Sequence, residues 1–167
     1  MKIKLVITDI DGVWTDGGMY YDENGNELKK FNTSDSAGVL FLHLLNIPVA
    51  IITGESTMII ENRGKKLKVE YILTGVRNKL DESKKLCKQL NIELENTAFI
   101  GDDINDIVLL KEVGVSAVPA NSPDYVAKWA KWKMSKKGGE GVFREFVEKI
   151  LKENDLLDKA LTLYEKK

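Results

Sequence analysis

A run carrying a single lysine, Ile3-Lys4-Leu5-Val6-Ile7-Thr8, leads directly into Asp9-Ile10-Asp11-Gly12-Val13. Its apolar and β-branched residues are consecutive rather than alternating. That describes a strand covered on both faces, as in the middle of a parallel sheet. Such a strand ending in Asp-x-Asp-Gly sets two carboxylates at the carboxyl edge of the sheet, where open α/β folds bind ligands. Carboxylates this close repel each other, and the arrangement is costly without a cation between them. Asp and Gly are also ordinary turn residues, so this stretch alone leaves a plain turn and a charged site equally open.

Further along, the same grammar repeats. Pro48-Val49-Ala50-Ile51-Ile52 is a second buried strand and ends in Thr53-Gly54. Tyr71-Ile72-Leu73 precedes Thr74-Gly75, and Ala98-Phe99-Ile100 runs into Gly101-Asp102-Asp103. Val115–Val118 is another strand, and Lys133-Met134 fits an edge strand. Helical patterning covers about 37–46, 57–67, 78–90, 105–113, 142–152 and 156–164, with a short turn opened by Ser122-Pro123. Between the first strand and the first helix, Glu23-Asn24-Gly25-Asn26 separates Met19–Asp22 from Glu27–Phe31, the pattern of a β-hairpin. Strand and helix in alternation predict a three-layer α/β sandwich around a central parallel sheet. The chain length of 167 residues fits one such domain over 1–167.

Composition narrows the partners. A formal net charge of -1 gives no reason to expect nucleic acid or an anionic membrane surface. No apolar run is long enough for a bilayer span. Cys87 is the only cysteine, so no internal disulfide is possible. The first strand begins at once, which leaves no room for a signal peptide, and the expected location is the cytoplasm.

Parallel strands bring their carboxyl ends to one edge, so Asp9, Asp11, Thr53 and Asp102 can converge, and Lys79 at the start of a helix can join them. Carboxylates gathered without His or Cys make a hard-oxygen site suited to Mg²⁺. A lysine, a hydroxyl and backbone N–H groups make an anion site beside it. A divalent cation next to an anion site is what phosphoryl transfer requires.

Asp9-Ile10-Asp11-Gly12-Val13, Thr53, Lys79 and Gly101-Asp102-Asp103 resemble, in order and context, the four motifs of the haloacid dehalogenase superfamily. The resemblance covers the whole chain and implies a Rossmann-like fold. It implies that Asp9 is a nucleophile forming an aspartyl-phosphate and a metal ligand. Asp11 would be the general acid/base, its backbone carbonyl also meeting the metal. Thr53 would bind the transferring phosphoryl group, Lys79 would neutralise it, and Asp102 would be the remaining protein ligand to Mg²⁺. Asp103, ranked above Asp106, would hold metal-bound water or orient Lys79. The segments between Gly12 and Thr53, and between Thr53 and Lys79, are too short for a cap domain.

Asp9-Ile-Asp-Gly-Val-Trp-Thr-Asp-Gly, Lys30-Phe31-Asn32, Ile51-Ile52-Thr53-Gly54 and Gly138-Gly139-Glu140-Gly141-Val142-Phe143-Arg144-Glu145 narrow the resemblance to the capless 3-deoxy-D-manno-octulosonate 8-phosphate (KDO 8-phosphate) phosphatases. That family implies a homotetramer joined through its hairpins, neighbouring chains closing each site, and a role in lipopolysaccharide synthesis. Three positions depart from its common pattern: Glu55 and Glu140 replace arginines, and Ser34-Asp35-Ser36 replaces Arg-Asp-Gly. A glutamate repels the carboxylate that a guanidinium would hold. Glu55, Lys66 and Thr33–Gly38 look more like a branch acting on the nine-carbon homologue, 2-keto-3-deoxy-nononate 9-phosphate. Arg63, Lys66 and Arg144 are candidate substrate cations, each with the alternative of a solvated helix residue. Asp35 either meets a substrate hydroxyl or caps a helix, the cap being favoured. A non-catalytic oligomerisation or regulatory module and a broad small-phosphate phosphatase are the competing readings.

Overall fold

The sheet is built outward from β1 (Leu5–Thr8), whose four residues are all buried. In this computed structural model, which describes residues 2–166, β1 pairs in parallel with β4 (Val49–Ile52) on one side and β6 (Thr97–Ile100) on the other. β5 (Tyr71–Leu73) continues the sheet beyond β4, and β7 (Val115–Val118) with β8 (Trp132–Lys133) continues it beyond β6. The order is β5-β4-β1-β6-β7-β8 and every pairing is parallel. β8 sits one residue earlier than the expected edge strand.

Successive residues of β1 point to opposite faces, and each face has its own core. Val6 joins α1 (Asp35–Leu44), α2 (Met58–Lys66), α6 (Val142–Glu153) and α7 (Leu157–Glu165) through Val39, Leu42, Ile60, Phe146 and Ala160. Leu5 and Ile7 join α3 (Lys79–Leu90), α4 (Ile107–Glu112) and α5 (Asp124–Ala127) through Leu86, Leu109 and Val126. This is the expected three-layer sandwich. The helix expected over 105–113 is instead a 3₁₀ turn, Ile104–Asp106, followed by α4, because Asp103 and Asp106 form a capping box across that turn.

The hairpin forms, but β2 (Tyr20–Tyr21) and β3 (Glu27–Leu28) are only two residues each. With neither a third strand nor a core beneath it, longer pairing gains little. Its tip is tied locally, Asp22 accepting from the N–H groups of Asn24 and Asn26 and from Asn26 Nδ2. Met19, Tyr20, Tyr21 and Leu28 are exposed.

Two seams fix the loop after β1. Trp14 is fully buried, donates from Nε1 to Thr8 Oγ1 at 3.0 Å and lies 5.1 Å from the Phe143 ring of α6. Gly138 lies flat on the same loop: a Cβ there would overlap the Gly12 carbonyl, so only glycine fits. Asp35, at the start of α1, is also fully buried, and its Oδ1 accepts the Arg144 N–H at 3.1 Å in the first turn of α6. It therefore caps α6, not its own helix. Desolvation pushes Asp35 from 3.8 to about 6, against the backbone N–H of Arg144 and the charges of Arg63 and Lys136.

A carboxyl with a raised folded-state pKa favours folding at low pH, and that contribution is lost as pH rises from about 3.8 to about 6. The loss amounts to up to about 3 kcal/mol. Asp35→Asn keeps the acceptor and cannot ionise. Denaturant midpoints measured between pH 4 and 7 are expected to fall less steeply for the variant than for the wild type. Parallel curves would refute the assignment.

Candidate active site

Asp9 is the first residue past β1, its N–H still donating to Ile100 O at 3.0 Å and holding it at the sheet edge. One carboxylate oxygen, Oδ1, accepts the Ile10 N–H at 2.8 Å. The other, Oδ2, lies 2.7 Å from Lys79 Nζ. Lys79 opens α3, where Asn78 caps the helix by accepting from Asp81 N–H. Its side chain is 1% exposed and its ammonium also meets Asp106 Oδ1 at 2.6 Å. Asp106 is fully buried, and its Oδ2 accepts the N–H groups of Asp102 and Asp103 at 2.9 and 3.1 Å. This one carboxylate thus shapes the loop after β6 and holds the lysine at the sheet edge.

Asp102 lies across from the loop after β1. Gly12, at φ +78°, leaves the space its carboxylate occupies, since a Cβ would overlap it. Carboxylate oxygens of Asp9, Asp102 and Asp106 all lie within 4.8 Å of one another. Three carboxylates against one ammonium leave an excess of two negative charges. Burial and its acidic neighbours Asp9, Asp106 and Asp103 push Asp102 from 3.8 up to about 8. Burial likewise raises Asp9 to about 6, against the opposing pull of Lys79. An all-oxygen donor set with this charge fits a divalent metal ion.

Asp11 stands on the other side of the same loop. Its Oδ1 accepts from Lys29 Nζ at 2.8 Å and from Thr15 Oγ1 at 3.3 Å, while Oδ2 is buried with no hydrogen-bond partner. Lys29 comes from the hairpin, its side chain is 1% exposed and it also meets Glu27 Oε1 at 3.2 Å. Burial lowers the Lys29 pKa, and its contacts with Asp11 and then Glu27 outweigh that and raise it. Thr53, at the end of β4, is buried and accepts the Glu55 N–H at 3.3 Å. Asp9, Asp11, Thr53, Glu55, Asp102 and Asn105 line one cleft of about 340 Å³.

The expected catalytic and metal residues Asp9, Asp11, Thr53, Lys79 and Asp102 thus meet at one edge. The expected substrate residues divide. Glu55 is exposed on the cleft wall. Asp35 is shut away as the α6 cap, so the structure assigns it no wall of the cleft. Arg63 donates to Asn32 O and Ser36 Oγ and lies 5.5 Å over the Phe31 ring, binding α2 to the start of α1. Arg144 pairs along its own helix with Glu148 at 2.7 Å. Lys66 is exposed at the last turn of α2, about 12 Å of helix rise from Met58 and the carboxyl edge. These three cations do not line the cleft of their own chain.

Sequence reasoning ranked Asp103 over Asp106 for orienting Lys79, and the geometry reverses this: Asp103 is exposed and caps the 3₁₀ turn. The Asp103-x-x-Asp106 capping spacing was the available signal, since it turns the second aspartate back under the strand end. Lys29 and Thr15 were also missed, and Thr15, four residues after Asp11, is the one that local spacing could have found.

A family model described as haloacid dehalogenase-like hydrolase matches residues 69–146. The 3-deoxy-D-manno-octulosonate 8-phosphate phosphatase of Haemophilus influenzae is 37% identical over 90% of this chain and 83% of its own length. A probable YrbI family phosphatase from Pseudomonas syringae superposes with TM-score 0.93 at 39% identity, covering 97% of this chain and 92% of that one. The 3-deoxy-D-manno-octulosonate 8-phosphate phosphatase of Moraxella catarrhalis, solved with magnesium, phosphate and KDO, also gives 0.93, at 34% identity over 97% and 93% of the two chains.

Protons and a metal ion compete for the acidic cluster. Asp102 holds its proton up to about pH 8, so the apparent affinity for Mg²⁺ in calorimetric titration is expected to rise from pH 6 to pH 8. The pH dependence should shrink in Asp102→Asn along with the affinity itself. A pH-independent affinity in the wild type would show that Asp102 is not a ligand.

Proposed function

We propose, from the premise that this chain belongs to the haloacid dehalogenase-like hydrolases and within them to the 3-deoxy-D-manno-octulosonate 8-phosphate phosphatase family, that it is a Mg²⁺-dependent phosphatase of a 3-deoxy-2-keto sugar acid phosphate. The observation that carries the reading is Asp9: a buried carboxylate at a strand end, steered by Ile10 N–H and Lys79, facing the cleft beside Asp102 and Thr53.

In this reading Asp9 attacks phosphorus, the ester oxygen leaves with a proton from Asp11, and an aspartyl-phosphate forms on Asp9. Asp11 then takes a proton from water as the water attacks phosphorus, which returns Asp9 and releases inorganic phosphate. Lys79 and Thr53 hold the phosphoryl oxygens, and Asp106 keeps the Lys79 ammonium in place. Asp9, Asp102 and the backbone carbonyl of Asp11 would hold the metal ion, which when bound supplies positive charge to the phosphoryl group. Asp106 is spent on Lys79 and backbone N–H groups. Most of the rate then comes from positioning and charge stabilisation.

The relatives favour the eight-carbon ester. Glu55, which the resemblance to the nine-carbon branch rests on, stands on the cleft wall and keeps the nine-carbon homologue as a second reading. The oligomer proposed with this function is a homotetramer. The exposed Met19, Tyr20, Tyr21 and Leu28 of the hairpin support it. Among the described residues no helix is long and apolar enough to cross a membrane. A cytoplasmic location belongs to the same proposal, since a multiply charged phosphate ester does not cross a bilayer to meet its enzyme.

Phosphate release from KDO 8-phosphate is expected to need Mg²⁺ and to fall at least about a thousandfold in Asp9→Asn, since no nucleophile remains. Turnover preserved in that variant would eliminate the covalent reading. Folded wild-type protein inert towards every phosphate ester would favour a non-catalytic module. Rates compared on the eight- and nine-carbon esters, with Glu55→Arg alongside, separate the substrates: the arginine variant should move preference towards eight carbons, and an unmoved ratio removes Glu55 from the specificity.

A further inference from the structure

Lys29 is a charged residue the proposed mechanism does not use, and its placement is costly. It follows directly on β3, the second strand of a hairpin with no core beneath it, yet its side chain is 1% exposed and its ammonium sits between two carboxylates, Asp11 Oδ1 at 2.8 Å and Glu27 Oε1 at 3.2 Å. A buried lysine is retained only where partners offset its desolvation. One partner, Glu27, belongs to the hairpin itself. The other is the group read above as the general acid/base, eighteen residues earlier.

The way Asp11 is held is asymmetric. Lys29 and Thr15 both donate to Oδ1, and Oδ2 has no partner. Oδ2 is closed off from solvent, and rotation about the Cβ–Cγ bond would break both hydrogen bonds to Oδ1. Thr15 is itself fixed, accepting the N–H groups of Gly12 and Gly17 at 3.3 and 3.2 Å. Loop and hairpin therefore grip Asp11 from two sides.

We propose that Lys29 is a positioning residue for proton transfer, through which the hairpin fixes the orientation of the Asp11 carboxyl towards the leaving group. The inference rests on the phosphatase reading and on Asp11 as its acid. It makes the placement of the hairpin, and whatever covers the hairpin, a condition of the chemical step and not only of substrate entry.

The test exploits leaving groups. A sugar alkoxide must be protonated as it departs, whereas p-nitrophenolate is stable as an anion and needs no acid. Lys29→Met keeps the apolar stem and removes the charge. Because Asp11 also serves the water attack that both esters share, the readout is the first step alone: in rapid-quench single turnovers the release of KDO is expected to slow about tenfold or more, while the release of p-nitrophenolate stays within about threefold. Asp11→Asn should show the same selective loss, and more of it. Both rates are read on one sample, so their ratio does not depend on how much of the variant is folded. Lys29→Gln, read the same way, replaces Lys29→Met if the latter does not fold. Equal losses on both esters, or no loss, overturn the positioning role when Asp11→Asn is selective. A non-selective Asp11→Asn overturns it together with the acid assignment, and a wild type that cleaves neither ester overturns the phosphatase reading beneath both.

Discussion

The ammonium of Lys79, lodged between Asp9 at 2.7 Å and Asp106 at 2.6 Å, is the contact on which the rest of the site depends. It is an unfavourable arrangement on its own terms. The charge is buried, and it sits in the first turn of α3, the positive end of that helix dipole. Two carboxylates in contact offset both costs, and without them the buried charge would be stranded at a cost of about 3–5 kcal/mol. The position of α3 against the strand ends is thereby fixed electrostatically as well as by Leu86 and Cys87 in the core. Asp106 has no freedom left: one oxygen holds Lys79 and the other closes the Asp102–Asp103 backbone.

The sheet order explains why these groups meet at all. β1 lies between β4 and β6, so the loops after all three open side by side, and connections on either side of β1 diverge to opposite faces. This is the crevice at which open parallel sheets bind ligands. The loop after β1 is then clamped from both sides. Trp14 stacks near Phe143, Gly139 N–H donates to Val13 O at 3.0 Å, and Asn32 Nδ2 donates to Gly139 O at 3.0 Å. The glycine-rich segment 138–141, read from sequence as a determinant of substrate choice, is in this chain a brace for the loop that carries Asp11.

What could be read from sequence was whatever a strand period dictates. The uninterrupted apolar runs of β1, β4 and β6 are unambiguous, and a buried parallel strand has only one carboxyl end, so Asp9, Thr53 and Asp102 followed from topology. Lys79 followed because the helix after β5 must start at the same edge. Residues whose roles depend on the direction of a side chain within a turn did not follow. Asp103 and Asp106 differ by three positions, and only the 3₁₀ turn decides that the second points inward. Lys29 reaches Asp11 through the fold of a hairpin whose register says nothing about its neighbour. Asp35 was weighed as a substrate contact or a cap of the helix it precedes, and the helix whose N–H it accepts lies more than a hundred residues later, beyond what local spacing can reveal. Lys66 was placed by helix membership alone, and a helix running away from the sheet edge carries its last turn to the wrong end.

Charge imposes a sequence of events on the proposed reaction. Asp9, Asp11, Glu55, Asp102 and Asp103 all line the cleft, and the cations expected to answer them are held elsewhere: Arg63 by α1, Arg144 by Glu148, Lys66 at the far end of α2. Lys79 and Lys29 are each already shared between two carboxylates. A sugar-acid phosphate brings at least two negative charges of its own, and like charges at these distances cost several kcal/mol in a partly desolvated cleft. A cleft charged in this way repels its ester until the acidic cluster is neutralised. In the proposed reaction cation binding therefore precedes productive substrate binding, and the proton that burial and its acidic neighbours keep on Asp102 leaves first. The raised carboxyl groups are then a consequence of building a cation site whose charge is complete only when it is filled.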